Sequence, residues 1–395
     1  MTFDFDEPVD RRGTHSSKWD GMEKRTGVGA PDAIAMWVAD MDFKAPPAVL
    51  EAVREEAERG VYGYYNADGS WQEAMSGWLK RRHGYEPDPE HIIPVPGVVP
   101  GLGLILQAFS EPDDEVVVFS PAYHGFNSII TANGRRIHNQ PLINEQGRYR
   151  MDFEGLASSL SPRARIVFFC SPHNPGGRVW TREEIRELAE FCEANDLLLV
   201  SDEIHQDLVF TGNKHLVTEA VAPEFAHRII TCTAATKTFN LAGAHYGGVI
   251  IPDDAMREKF RKVVNRSGLA SLPLFSMVLT EAAHRHGDAW LDALLPYLET
   301  NRDLLAERIA KGIPGSRPMH LEATYLGWVD FSGTGLDQEA VLDRIGNRAR
   351  IGASTGAQFG PGGENWVRFN FATQRKLLVE ALDRLDEAFS DLARG

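Results

Sequence analysis

The chain has 395 residues, 43% hydrophobic and 25% charged, a composition suited to a large folded core and to two domains. A formal net charge of −15 argues against a nucleic-acid or anionic-membrane surface, which would need a basic face. No apolar run approaches the ~20 residues of a membrane span, and the acidic start "MTFDFDEPVDRRG" lacks the apolar stretch of a signal peptide.

In chain order, "REEAER" (54–59) and "KRRHG" (80–84) read as solvated helix faces. "PVPGVVPGLGLILQAF" (94–109) reads as a turn entering a helix, whose free N-terminal amides would suit a phosphate. "GLGLIL" inside it begins like a dinucleotide fingerprint but lacks the third glycine. Five continuous apolar runs follow: "EVVVFS" (115–120), "RIVFFCS" (165–171), "LLLVSDE" (197–203), "RIITCT" (228–233) and "GGVII" (247–251). Runs without alternation predict strands covered on both faces. Between the second and third, Thr181 with Glu184 predicts a capping box, and Ile185, Leu188 and Cys192 fall on one helical face. Cys192 is thus a core residue. With Cys170 and Cys232 it forms neither a disulfide framework nor a zinc site, which fits a reducing cytoplasm.

Strands alternating with helices predict an α/β fold with a mainly parallel sheet. "DAMREKFRKVV", "PLFSMVLTEAAHRHG" and "PYLETNRDLLAERIA" predict helices after the last run, and "TYLGWVDF" and "NWVRFNFA" predict strands of a smaller α+β domain. The expected division is an N-terminal segment 1–45, a large domain 46–285 and a small domain 286–395. His284 and His286, two apart on a helix, do not share a face and are not read as metal ligands.

Ligands of open α/β sheets bind beyond the carboxyl ends of the strands. Four runs deliver chemistry there: Tyr123 in "SPAYHGF", Asn174 in "SPHNPGG", Asp202 and His205 in "SDEIH", and Lys237 in "TKTFN". A lysine there is either a snorkelling surface side chain or an amine held out of water, and the second suits Schiff-base chemistry because burial disfavours its charged form. A carboxylate at the neighbouring strand end is what a pyridinium nitrogen requires. Together they supply the protein's part of pyridoxal phosphate (PLP) chemistry. Asn174 and His205 would then bond the ring's phenolate oxygen, and Tyr123 would stack on its face.

"SPHNPGG", "SDEIH" and "TKTFN", in this order, resemble the fold type I PLP-dependent aminotransferases. More narrowly, "VDRRGTHSSKWD", "WVADMDF", "GVYGYY", "SPAYHGF" and "SDEIHQD" resemble the MalY/PatB-type cystathionine β-lyases. The resemblance implies that Lys237 carries the cofactor, Asp202 meets the pyridine nitrogen and Asn174 the phenolate. It implies that Arg368 of "WVRFNFA" binds the substrate α-carboxylate, and that Tyr64 of "GVYGYY" reaches the phosphate from the second subunit of a homodimer. Tyr62 is a competing choice. At the phosphate turn and three positions before the lysine, relatives commonly carry hydroxyls; here stand Val98, Val99 and Ala234. Backbone amides at Val98 and Val99 are the expected substitute, with Thr233 or Thr236 assisting. The implied activity is β-elimination of cystathionine or other cysteine S-conjugates, small amino-acid substrates, to a thiol, pyruvate and ammonia. The alternatives are an aminotransferase and a regulatory protein with little turnover.

Overall fold

A computed structural model describes residues 3–394. Met1, Thr2 and Gly395, at the ends of the expected first and last segments, lie outside them. In chain order the strands are β1 (Ile34–Ala35), β2 (Ile92–Val95), β3 (Glu115–Ser120), β4 (Arg136–Pro141), the hairpin of β5 (Ile143–Glu145) and β6 (Arg148–Arg150), β7 (Ala164–Cys170), β8 (Leu198–Asp202), β9 (Ile229–Thr233) and β10 (Gly247–Ile250). β11 (Arg317–Pro318), β12 (Leu326–Asp330), β13 (Ile351–Gly352), β14 (Ser354–Thr355) and β15 (Trp366–Asn370) follow.

Seven strands form one sheet in the order β2-β10-β9-β8-β7-β3-β4. The five from β9 to β4 are parallel, while β10 runs antiparallel to both its neighbours. All five expected runs are strands. Their side chains alternate between two cores: Val117 and Phe119 of β3 enter one, Val116 and Val118 the other. A strand buried on both faces has no polar side to show, hence the unbroken apolar runs.

The two strands that periodicity did not reveal are the sheet's edges. β4, "RIHNQP", is largely exposed or half-buried, and β2 carries Pro94, which an edge tolerates because one row of amides has no ladder to join. The capping box forms as expected: Thr181 Oγ1 accepts from the Glu184 amide, and the Glu184 carboxylate accepts from the Thr181 amide at 2.8 Å. "GLGLIL" is buried in the Val98–Phe109 helix. Gly101 faces Val95 and Val249 there, and Gly103 faces Ile129, so its glycines serve close packing.

Near the C-terminus a second sheet, β11-β12-β15-β14, is wholly antiparallel. The Asp288–Gly312 helix begins eight residues before the expected start, with Pro296 inside it. β1 pairs in parallel with β13, so the N-terminal segment is tied to the region of the second sheet. Among the described residues no helix is long and apolar enough to cross a membrane.

Candidate active site

Because β3, β7, β8 and β9 are neighbours, the residues after them converge. Tyr123, Asn174, Asp202, His205 and Lys237 all line one cavity of about 760 Å³, together with Arg368, Val98 and Val99. A ninth expected residue is absent from it: Tyr64 is fully exposed and lines no part of the cavity within this protomer. Tyr62, its competitor, donates to the Ala57 carbonyl at 2.8 Å.

Lys237 sits in a four-residue helix, Ala235–Thr238, directly after β9. The helix is pinned from behind: Thr238 Oγ1 donates to Asp207 at 2.7 Å, and Asp207 also accepts from Trp78 Nε1 at 3.1 Å. Burial pulls the Lys237 ammonium down to about 8, against the pull of Asp40 and Asp202. Its Nζ donates to the Ala39 carbonyl at 2.7 Å.

Asp202, the last residue of β8, lies in register with Cys170 of β7 on one side and Cys232 of β9 on the other. All three are buried. Thiols solvate a carboxylate poorly, so burial pushes Asp202 up to about 7, opposed by the Ile204 amide at 3.2 Å and by the Lys237 charge. The two cysteines are therefore part of the site's electrostatics, a role their odd number and wide spacing do not announce. Burial also drives His205 down to about 3, leaving a neutral imidazole whose Nδ1 has no partner.

Arg368 is buried on β15, where Arg368 and Asn370 turn toward the N-terminal segment while Val367 and Phe369 enter the core. Its Nη1 donates to Asn174 Oδ1 at 2.9 Å and its Nη2 to the Trp37 carbonyl at 2.8 Å, while Nε has no partner. The guanidinium lies 4.8 Å over the Phe359 ring.

The "WVADMDF" segment forms one whole wall, by a chemistry that its side chains do not announce. Residues 37–43 run past the strand ends and offer backbone carbonyls: Trp37 to Arg368, Ala39 to Lys237, Val38 and Asp40 to Asn370, and Met41 and Phe43 to Asn240. A carbonyl belongs to every residue, so no side-chain pattern marks this use. What holds the segment is a buried ion cluster in which Asp42 meets Lys18 at 2.6 Å, Arg11 at 3.2 Å and Trp19 Nε1 at 2.8 Å.

At the other end of the cavity, the Val98–Phe109 helix presents its first amides after Gly97, which has φ +115°. A side chain on Gly247 would lie 3.1 Å from the Val98 nitrogen, so a glycine at the start of β10 lets the strand pass this turn closely. Thr236 lines the cavity; Thr233 does not, its hydroxyl facing the Glu203 carbonyl at 3.5 Å. His245, unmarked by any motif, joins the lining beside Tyr246.

The sequence matches the family described as aminotransferase class I and II over residues 31–385. It is 40% identical to cystathionine β-lyase PatB of Bacillus subtilis, over 98% of this chain and all of that protein. The chain belongs to the class I and II aminotransferase family, in its PatB/MalY-type branch. Protein MalY of Escherichia coli is 29% identical over 98% of both chains. Among solved structures, cystalysin from Treponema denticola, which contains a pyridoxal 5'-phosphate cofactor, matches with a TM-score of 0.95 and 31% identity, over 99% of this chain and all of that one.

Proposed function

We propose that this chain is a PLP-dependent carbon–sulfur β-lyase, acting on cystathionine or related cysteine S-conjugates and releasing a thiol, pyruvate and ammonia. The observation that carries this reading is the meeting of Lys237 and Asp202 at adjacent strand ends in one cavity that also holds Arg368. The residues present fit the cofactor. A buried carboxyl at about 7 calls for a cationic ring nitrogen, the orphaned His205 Nδ1 for a polar ring substituent, and the amides after Gly97 for a phosphate. Asp202 would hold the ring nitrogen, Asn174 and His205 the ring oxygen, Tyr123 the ring face, and Val98, Val99 and Thr236 the phosphate.

Bound PLP supplies an electron sink for the pair left when a proton leaves the substrate α-carbon. The chain's own residues do the rest. Arg368 receives the α-carboxylate, with its otherwise unpartnered Nε available to the incoming oxygen. A Lys237 amine held near 8 is neutral in an appreciable fraction of molecules around neutral pH, so it can accept the α-proton at Nζ. Ala39 fixes the height of that nitrogen. The division at residues 45 and 285, a cytoplasmic setting, and a second subunit that brings Tyr64 to the phosphate belong to the same proposal. The exposed Val61, Tyr62 and Tyr64 support the last.

The test is pyruvate production from L-cystathionine with no keto acid present. Steady turnover supports the lyase; an absolute requirement for a keto acid acceptor would make the protein an aminotransferase.

A further inference from the structure

The cavity wall carries two arginines, and only one is explained by the chemistry above. Arg25 belongs to the Met22–Thr26 helix, which packs so closely on β13 that a side chain at Gly352 would lie 2.6 Å from Met22 Sδ and 3.1 Å from Thr26 Oγ1. Two residues further on, Ser354 stands in register with Arg368. Arg25 is thus anchored next to the carboxylate-binding strand. Arg25 lines the cavity, is exposed, and pairs with no carboxylate among the described residues. In a chain with 56 acidic and 41 basic residues, an unneutralised guanidinium facing a cavity is an electrostatic feature in need of a partner.

Two neutral polar side chains share that part of the lining. His124 follows Tyr123, with its ring 5.6 Å from the Phe359 ring that Arg368 covers from elsewhere. Burial and then the charges of Arg368, Arg25 and Lys237 bring His124 down to about 4, so it adds no positive charge. One turn along, Asn127 lines the same cavity, and His124 Nδ1 lacks a hydrogen-bond partner. A volume of about 760 Å³ lies toward the upper part of the ~300–1,000 Å³ range of small-molecule sites, which leaves room for a substituent on the substrate sulfur.

We infer that Arg25, flanked by His124 and Asn127, receives a carboxylate at the far end of the substrate's sulfur substituent. The enzyme then favours thiol leaving groups that are themselves amino acids or carboxylic acids over plain alkyl thiols. This inference rests on the lyase reading for its meaning but not for its test. Guanidinium binds carboxylate through parallel N–H donors, and in a partly exposed site such a pair is worth on the order of tenfold in affinity.

The experiment is calorimetric titration of the holoenzyme with two amino acids that have no leaving group. L-2-Aminosuberate matches cystathionine in chain length and ends in a carboxylate; L-2-aminooctanoate has the same length and ends in a methyl group. The wild type should bind the first about tenfold more tightly than the second. Arg25→Gln should abolish that preference, Arg25→Lys should restore part of it, and Arg25→Glu should reverse it. A preference equal in the wild type and Arg25→Gln, or no preference in the wild type, overturns the assignment. Elimination activity is judged separately by pyruvate release, so a failure of the lyase reading leaves a different signature.

Discussion

The floor and the front wall of the cavity are built on different principles. The floor is made of side chains at the ends of regular strands, each aimed by its register: Cys170, Asp202 and Cys232 lie in one row across three strands, and Lys237 follows the third. The wall is made of main-chain carbonyls on the irregular segment 37–43, held in place by Lys18, Arg11 and Trp19 around Asp42. Function on the floor depends on which side chain stands at a position. Function on the wall depends on where the backbone lies.

Substitutions should separate the two. The largest effect falls on the floor: Lys237→Ala removes the proposed proton acceptor, and kcat for pyruvate formation should fall by about 10⁴-fold. A residual rate within tenfold of wild type would mean that another group takes the α-proton. On the wall, Lys18→Met leaves Asp42 with a diminished set of partners in a dry site. Breaking a buried pair in this way costs about 3–5 kcal/mol, to be read from denaturant unfolding of the holoenzyme. No loss of stability would show that Arg11 and Trp19 suffice to hold the segment. Asp202→Asn keeps the shape of the floor but removes its charge. We expect a loss of about 10²-fold in kcat, and an unchanged kcat would dismiss Asp202 as the ring-nitrogen partner.

The remaining test is a pH dependence of the cofactor-free protein. Asp202 titrates near 7 in the folded state against an ordinary 3.8, so the folded form binds the extra proton between those values. Stability should therefore decline as pH rises from about 4 to 7. Lys237 has the opposite sign: its folded value near 8 lies below 10.5, and the unfolded form binds more protons between them. Stability should recover from pH 8 to 10.5. Urea unfolding of Asp202→Asn without cofactor should lose the first slope alone; retention of that slope would assign it to another group.

The same contrast explains what could be read in the sequence. Lys237, Asp202 and Asn174 were legible because chemistry-bearing side chains at the ends of apolar runs are rare and meaningful, whereas Arg368, in the middle of β15, was reached through the family resemblance. β2 and β4 were not, since edge strands mix polar and proline residues with apolar ones. The wall was legible as the segment "WVADMDF" but not in its chemistry: Ala39 acts through its carbonyl, and nothing about an alanine says so. Cys170 and Cys232 were read only as lacking a disulfide or zinc pattern; the register sets them on either side of Asp202. Arg25 and His245 lie in segments with no strong periodicity, and only folding brings them to the cavity.

The central claim is that one buried amine at the end of β9 carries the cofactor. Reducing the purified holoenzyme with borohydride, digesting it and mapping the modified peptide by mass spectrometry tests this directly. The account predicts a pyridoxyl phosphate adduct on Lys237 and its disappearance in Lys237→Ala. An adduct on a different lysine, or none on the wild type, would contradict it.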